Sequence, residues 1–329
     1  MDNSLEAMKN LRRKLAIGLA LGFVVFVVLA ALGDIERVGD ELVGFAWELI
    51  PLILACTLFN YLLRFIKWHY YLGLVGANDI SLKESARIFV AGFPLAVTPG
   101  KAGEALKGTW LNQTAGTPTS KGVTVVLAER VSDGLAVLVL SSLGVLAYRQ
   151  YWPIFSIVAA GLIGVIVLSQ FRPLGRRMIA ISRRLPLVRR AADPLSEFYE
   201  GAYSLFRPKS TLIAVALGTV AWLGEGVAMY LVLLGLGVPP TTYTLGIAVF
   251  VLAFSTIVGA ISALPGGLIA ADASIAGMLT LLLGLSASTA ASATLLIRFA
   301  TLWFGVGLGL LVWLASKELI AGSADPQTA

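Results

Sequence analysis

The chain has 329 residues, of which 57% are hydrophobic and only 13% are charged, and its formal net charge is +6. This composition excludes an ordinary soluble globular protein, whose surface carries many more charges. Several apolar runs reach the roughly 20 residues that a helix needs to cross a bilayer, and the alternation typical of a membrane β-barrel is absent. We therefore expect an all-α membrane protein, with residues 1–329 forming a single integral membrane domain.

Six apolar runs are predicted to cross the membrane as complete helices. They cover residues 15–32, 42–63, 122–147, 153–171, 211–236 and 289–315. The first run follows basic residues, as the core of a signal peptide would. It is followed by the acidic sequence GDIERVGDE and not by a small-residue cleavage site, so we interpret it as a retained helix.

Two further apolar segments, 85–111 and 244–284, are each interrupted by proline and glycine. The interruptions are Pro99-Gly100 and Pro265-Gly266-Gly267. Proline removes a backbone donor and glycine lets the chain reverse, so each interruption should break a helix. Inside hydrocarbon, such a break requires surrounding protein or a water-filled cavity. We interpret both segments as re-entrant hairpins, although two complete spans in each would give the same topology.

The basic residues predict the orientation, because cytoplasmic loops are enriched in Lys and Arg. Nine of the 25 basic residues lie within 172–209, which we expect to be a basic cytoplasmic loop. A second cytoplasmic loop is predicted from Arg64, Lys67, Lys83 and Arg87. Both termini are then cytoplasmic in a multi-pass plasma-membrane protein, and the two hairpins enter from opposite faces.

The two halves of the chain repeat one another. Within residues 42–147, Glu104 follows the first break and precedes Arg130 by 26 residues; within 211–315, Asp272 follows the second break and precedes Arg298 by the same interval. Together with the opposite orientation of the hairpins, this spacing predicts an inverted-topology repeat, which is typical of secondary transporters.

Few charged residues are predicted to lie at membrane depth, where an unpaired charge costs at least about 2.5–3.5 kcal/mol. They are Lys101, Glu104, Lys107, Glu129, Arg130, Asp133, Glu225, Asp272 and Arg298. The natural pairs are Arg130 with Glu104 and Arg298 with Asp272. Glu129 and Asp133 share a helical face, where they either line a polar cavity or form salt bridges that fix the bundle. Glu225 is either a proton carrier or the partner of an unidentified cation.

The breaks themselves suggest an anion site. A half-helix that begins after each break would direct free backbone N–H groups and a positive dipole end toward the middle of the membrane. Lys101 adds a charge to the first, and Arg130 and Arg298 lie in the helices that follow, so the set suits a phosphate group. The alternative is that both breaks are ordinary kinks packed against neighbouring helices.

Signatures of other functions are absent. One histidine and one cysteine cannot form a usual zinc site, and no nucleotide-binding or nucleophile motif is present, so we expect no metal, no cofactor, no nucleic-acid partner and no enzyme activity. The aromatic residues around His69, namely Trp68, Tyr70 and Tyr71, are predicted to form an interfacial belt.

Several motifs resemble the lysylphosphatidylglycerol synthase transmembrane-region family of flippase-like membrane proteins. They are RFIKW at 64–68, GFPLAVTPGKAGEALK at 92–107, AERVSDGL at 128–135, ALPGGLIAADASI at 263–275 and the late Arg298. The resemblance covers nearly the whole chain. One departure is Asp272, preceded by two alanines, where the family more usually has a Gly-rich turn followed by Glu.

The resemblance implies a lipid-transport function. In the multiple peptide resistance factor proteins, a similar region moves aminoacylated phosphatidylglycerol between leaflets, while a separate soluble domain makes that lipid. We expect no such domain in the few residues after Lys317, so the family name is not taken as an activity. Other family members are linked to lipid-linked glycan pathways, which extends the expected substrates to polyprenyl phosphates.

The sequence hypothesis is therefore a flippase that moves an anionic or phosphate-bearing lipid between leaflets. The expected substrate-binding residues are Pro99, Gly100, Lys101, Glu104, Glu129, Arg130, Asp133, Pro265, Gly266, Gly267, Asp272 and Arg298. Proton or cation coupling and a homodimer are left open. The alternative is a membrane accessory or scaffold subunit for a lipid-modifying or lipid-linked glycan enzyme, which would dock on the basic loop; an intramembrane enzyme is the third and weakest hypothesis.

Overall fold

The computed structural model describes residues 34–147, 152–184 and 192–316, together with the isolated positions 20, 22, 24, 27 and 28. All the regular structure in these residues is helical. The predicted polytopic helical bundle is therefore confirmed. Most of the first predicted span lies outside the described residues, and so do Lys317 and part of the basic loop.

Thirteen α-helices are described. They are α1 Ile35–Val43, α2 Ile50–Leu74, α3 Leu82–Ala91, α4 Leu106–Ala115, α5 Thr119–Ala147, α6 Trp152–Gln170, α7 Arg172–Arg184, α8 Ala192–Leu205, α9 Pro208–Gly235, α10 Thr242–Ile261, α11 Ala270–Leu283, α12 Ala287–Arg298 and α13 Phe304–Ala315. Short 3₁₀ segments cover Trp47–Leu49, Phe93–Val97, Pro99–Ala105 and Pro265–Gly267, and a π-helical turn, Phe299–Trp303, joins α12 to α13.

Five of the described helical stretches are long and apolar enough to cross a membrane. They are Trp47–Leu74, Pro208–Gly235, Thr242–Ile261, Pro265–Leu283 and Ala287–Ala315. The predicted span 42–63 is displaced, because 35–43 is a separate helix and α2 continues to Leu74. Helix α5 has 29 residues and is therefore about 43 Å long, but its N-terminal half carries several charges.

The sequence specifies several helix starts through capping residues. The Ser81 hydroxyl accepts a hydrogen bond from the Glu84 N–H while the Glu84 carboxylate accepts one from the Ser81 N–H, which forms a capping box at the start of α3. The hydroxyls of Thr241 and Ser286 cap α10 and α12 by accepting hydrogen bonds from the N–H groups of Thr244 and Thr289, without the reciprocal bond of a capping box. These caps fix where the helices around the breaks begin.

Both predicted breaks are present, and they touch each other inside the bundle. Gly100 and Gly266 adopt the left-handed backbone region, with φ values of 57° and 61°. The Gly100 N–H donates a 2.8 Å hydrogen bond to the carbonyl of Ala263, just before the second break. The two helix breaks are therefore in direct contact through this hydrogen bond. The re-entrant path and inverted orientation of the hairpins stay predictions.

Helix α9 lies at the centre of the bundle, where it packs on α2, α5 and α10. Its residues Met229, Val232 and Leu233 are fully buried. Small residues allow the closest approach elsewhere: a Cβ added to Gly122 on α5 would lie 2.5 Å from the Cα of Gly108 on α4. Close contact between small residues is a usual way for membrane helices to associate.

The order of elements is the same in both halves. A long helix, α2 or α9, ends in a left-handed glycine, Gly76 or Gly237, and a broken segment follows. A 29-residue helical stretch then completes each half, as α5 and as Ala287–Ala315. Arg130 and Arg298 are each the twelfth residue of these stretches. The elements thus follow the same order in both halves, and the inverted repeat itself stays a prediction.

Candidate functional site

A cavity of about 550 Å³ lies against both helix breaks. Its charged lining residues are Arg64, Lys101, Glu104, Lys107, Arg130, Asp133, Glu225 and Arg298. Much of the remaining wall is apolar and includes Leu162, Trp222 and Ile257. The breaks contribute Gly100, Gly266 and Gly267 to the lining, whereas Glu129, Pro265 and Asp272 do not line it; the side chain of Pro99 lies outside the described part of the structure. The cavity thus combines a charged region with an apolar wall.

The first predicted pair, Arg130 with Glu104, is confirmed. Nε of Arg130 lies 3.4 Å from Oε2 of Glu104, and Nη2 of Arg130 lies 3.6 Å from Oδ2 of Asp133. Neither the Arg130 Nε nor the Glu104 Oε2 makes an aligned hydrogen bond, and the Arg130 side chain is 27% exposed. The contacts of Arg130 with these two carboxylates are therefore mainly electrostatic. N–H groups of its guanidinium stay available to donate hydrogen bonds to a ligand in the cavity.

The second predicted pair, Arg298 with Asp272, is also confirmed but is tighter. Nε of Arg298 lies 2.6 Å from Oδ1 of Asp272, and Nη2 donates a 2.9 Å hydrogen bond to the carbonyl of Gly266. The other carboxylate oxygen of Asp272 accepts the N–H of Ile269 at 2.9 Å, at the start of α11. Asp272 and Arg298 therefore hold the second break in place.

Four backbone N–H groups at the breaks, where the sequence predicted free donors for an anion, are hydrogen-bonded within the protein. The Gly100 N–H is bound to Ala263, the Lys101 N–H to the Thr98 carbonyl at 2.9 Å, and the Gly103 N–H to the Thr98 hydroxyl at 2.9 Å. After the second break, the Ile269 N–H is taken by Asp272. These four donors are therefore not free for an anion, whereas the side chains of Arg64, Lys101 and Arg130 do line the cavity.

Lys101 is the cavity cation without a carboxylate partner. Its backbone has φ 57°, a left-handed conformation that costs a non-glycine residue about 1–2 kcal/mol. The described residues contain no salt bridge or hydrogen bond to its ammonium group, although the side chain lines the cavity. Strained residues of this kind cluster at functional sites.

Two cations of the site, Arg64 and Lys67, were predicted to lie in a cytoplasmic loop, and that prediction is wrong. Helix α2 continues to Leu74, so both residues lie within it. Lys67 is fully buried and donates a short hydrogen bond to Oδ1 of Asp133, while Nη2 of Arg64 lies 3.5 Å from Oδ2 of the same carboxylate. Their three-residue spacing, which places them on one helical face, is the sequence signal for this role.

Glu129 does not line the cavity and forms a buried salt bridge with Lys107. Its carboxylate accepts a 2.7 Å hydrogen bond from Nζ of Lys107, and that ammonium lies 4.0 Å from the ring centroid of Trp68. Trp68 and Tyr71 are almost completely buried, so the predicted interfacial belt is wrong for these two residues. Of the two open interpretations, a bundle-fixing salt bridge describes Glu129.

Glu225 lies on α9 and lines the same cavity with only 5% of its surface exposed. Within the described residues it forms no salt bridge and no hydrogen bond. The same residues contain no group of three His, Cys, Asp or Glu side chains that could hold a metal ion. Lys101 and Glu225 are thus two unpaired and opposite charges in one cavity.

Comparison with known proteins accounts for this arrangement of two breaks and their charges. The model of the family described as "Lysylphosphatidylglycerol synthase TM region" matches residues 15–309, a range that contains every charged residue of the cavity. The chain belongs to this family. The resemblance expected from the sequence motifs is therefore confirmed.

One curated relative of this family member carries the name "UPF0104 membrane protein" and comes from Methanothermobacter thermautotrophicus. It is 26% identical to the chain over 284 residues, which cover 80% of this chain and 82% of the relative. No solved structure matches the chain.

Proposed function

We propose that the protein moves an anionic, phosphate-bearing lipid between the leaflets of the plasma membrane. The observation that carries this proposal is Lys101, an unpaired and strained cation in a cavity at the meeting point of two broken helices. A partly buried cation without a partner is costly in a membrane protein, and an anionic headgroup would relieve that cost. The family match supports the more general statement that the chain is a membrane protein of this family.

The binding mode follows from the charges and the wall of the cavity. The headgroup phosphate would bind Lys101 and the available donors of Arg130, while Arg298 stays bound to Asp272 and Gly266 as a support. The cavity volume lies within the range of about 300–1,000 Å³ usual for small-molecule sites. A lipid headgroup is within that size class.

The apolar wall suits the acyl or prenyl chains. Val165 on α6 and Ile261 on α10 both line the cavity and are 37% and 59% exposed. In the proposed function this apolar wall opens to the bilayer, so that the chains stay in the bilayer while the headgroup crosses. Aminoacyl-phosphatidylglycerol and polyprenyl phosphate are the substrate types that the resemblance suggests.

We also propose transport without catalysis, with the residues of 172–209 on the cytoplasmic side. The chain's one histidine and one cysteine, His69 and Cys56, do not line the cavity. The second candidate function, an accessory subunit, is favoured by α7, where the side chains of Arg172 and Arg177 are exposed. In that function, removal of these two charges would impair activity more than changes at Lys101.

Liposomes that contain the purified protein and fluorescent phosphatidylglycerol test the proposal. A membrane-impermeant quencher bleaches only the fluorescent lipid of the outer leaflet. Fluorescent lipid of the inner leaflet is bleached only when the protein moves it to the outer leaflet. We expect Lys101→Ala to slow exposure roughly tenfold or more, which corresponds to at least about 1.4 kcal/mol. Lys83→Ala, which removes an exposed lysine of α3, is the matched control and should behave as wild type.

A fluorescent diacylglycerol, which lacks the phosphate, serves as the control lipid. Wild-type rates in Lys101→Ala, or equal protein-dependent acceleration of both lipids, would remove the proposed headgroup site.

A further inference from the structure

The charged groups that line the cavity, together with the side chains that they bind, comprise six cations and five carboxylates in the described residues. Three of the cations can each be assigned a carboxylate in contact with them, in the pairs Arg130–Glu104, Arg298–Asp272 and Lys107–Glu129. Each pair is neutral. The charge of the site is therefore set by the remaining three cations and two carboxylates, which are Arg64, Lys67, Lys101, Asp133 and Glu225.

Arg64 and Lys67 share a single carboxylate, that of Asp133, so these three groups keep one excess positive charge. Glu225, on the central helix α9, lines the same cavity with only 5% of its surface exposed. Within the described residues it forms no salt bridge and no hydrogen bond. Among the charged groups around it, Arg64 has the strongest electrostatic interaction with its carboxylate. An ionised Glu225 therefore supplies the missing counter-charge, and these four groups together are neutral.

The position of Glu225 in the repeat supports its assignment to Arg64. Glu225 precedes the left-handed Gly237 by twelve residues, and Arg64 precedes the left-handed Gly76 by the same number. Each of these helices ends with a hydrogen bond from the residue after that glycine to the carbonyl five residues earlier, at 3.0 Å in both cases. Equivalent helical positions therefore place a base from one half and an acid from the other half in one cavity.

One charge is left over, the ammonium group of Lys101, and the site as a whole carries one positive charge. A headgroup with one negative charge neutralises the site without any change in its ionisation. A headgroup with two negative charges would leave one of them uncompensated in the cavity that Glu225 lines, and a headgroup without net charge would leave the site positive. Uncompensated charge is costly where water is scarce.

Resting on the proposed function, we propose that the site selects lipids whose headgroup is a phosphodiester with one net negative charge, and that Glu225 determines this specificity by repelling a second one. Phosphatidylglycerol is such a lipid, and so is a polyprenyl phosphate esterified to a sugar. A free phosphomonoester carries about −1.5 to −2 charges at pH 7 and is disfavoured. An aminoacyl group adds a positive charge to phosphatidylglycerol, so the aminoacylated lipid is disfavoured relative to phosphatidylglycerol itself.

The experiment compares phosphatidylglycerol, phosphatidic acid and phosphatidylethanolamine with the same fluorescent chain, in alkaline liposomes that contain the whole protein. Wild type should move phosphatidylglycerol at least about tenfold faster than the other two, because a mismatched charge is strongly unfavourable. Glu225→Gln adds one positive charge to the site and should shift the preference toward phosphatidic acid by about the same factor. Asp79→Asn removes an exposed carboxylate of the α2–α3 loop and should keep the wild-type preference. Equal rates for the three lipids in wild type, or an unchanged preference in Glu225→Gln, overturn the proposal.

A second measurement decides the case when the variant fails to fold or wild type moves no lipid. Fluorescent phosphatidylglycerol bound to wild type in detergent is displaced with unlabelled phosphatidylglycerol, a polyprenyl phosphoglucose, phosphatidic acid or phosphatidylethanolamine. Displacement by either phosphodiester at a concentration at least about tenfold lower than the other lipids supports the charge selection, even if movement between leaflets, and with it the proposed function, fails. The stronger of the two phosphodiesters identifies the apolar chain. Displacement without charge preference overturns the selection, and so does the absence of lipid binding.

Discussion

The Nε atom of Arg298 lies 2.6 Å from Oδ1 of Asp272, although the two residues are 26 positions apart and belong to different helices. Asp272 also caps the start of α11, and Arg298 also binds the carbonyl of Gly266 within the second break. Two side chains thus hold the break, the following half-helix α11 and the helix α12 together. In the first half, the corresponding Arg130–Glu104 contact is looser, at 3.4 Å.

Arg298→Gln should destabilise the protein strongly, because it leaves Asp272 buried without its cation. Loss of one partner of a buried pair costs about 3–5 kcal/mol, so we expect a clear fall in the thermal unfolding temperature in detergent. Arg37→Gln is the matched control, since the Arg37–Asp34 pair is 76% and 57% exposed and should contribute little. Equal unfolding temperatures for both variants would contradict a supporting role for Arg298.

Asp133→Leu should lower the unfolding temperature more than Lys67→Met. Asp133 contacts Lys67, Arg64 and Arg130, so its loss leaves several cations without their shared carboxylate, including the fully buried Lys67. After Lys67→Met, the carboxylate keeps its two arginines. Thermal unfolding of both variants in the same detergent checks the order, and the reverse order would contradict this charge arrangement.

Lys101→Gly should make the protein more stable while it reduces lipid movement. Glycine adopts the left-handed backbone of residue 101 without strain, so we expect it to be about 1 kcal/mol more stable than Lys101→Ala at this position. Both variants lose the ammonium group and should move phosphatidylglycerol slowly. The unfolding temperature and the rate of lipid exposure are measured for both variants. Normal lipid movement in either variant would show that the strained backbone at residue 101 does not serve lipid binding by the ammonium group.

Gly122→Ala should separate α4 from α5. The new methyl group would lie 2.5 Å from the Cα of Gly108, and backbone cannot move aside as a flexible side chain can. Gly164→Ala on α6, where no atom lies within 4 Å of the added carbon, is the control and should be neutral or slightly stabilising. Folded yield and unfolding temperature compare the two, and a neutral Gly122→Ala would argue against the close helix contact.

Much of the fold could be predicted because hydropathy and proline-glycine breaks are local properties of the sequence. The spans near 153–171, 211–236 and 289–315 lie within about three residues of the helices found, and both breaks occur at their proline-glycine pairs. The span predicted at 42–63 is displaced to Trp47–Leu74. Gly44 follows a separate short helix, and Arg64 and Lys67 resemble loop cations until their contacts with Asp133 are known.

The candidate site was predictable only in its charge pairs. Arg130 with Glu104 and Arg298 with Asp272 follow from the repeated 26-residue interval. The hydrogen bond from Gly100 to Ala263 joins two breaks that are far apart in sequence, and no local pattern indicates it. This contact engages one of the backbone N–H groups at the first break, where the sequence predicted free donors for an anion. It leaves Lys101 as the group to which the proposed headgroup binds.

The most direct test of that headgroup site is the lipid that the protein retains. Gently purified wild type, Lys101→Ala and the exposed-lysine control Lys83→Ala are compared by mass spectrometry of bound lipids. We predict that wild type and Lys83→Ala retain one class of anionic, phosphate-bearing lipid above its share of the membrane, and that Lys101→Ala loses this enrichment. Retention at the bulk composition in wild type, or unchanged enrichment in Lys101→Ala, would contradict the account.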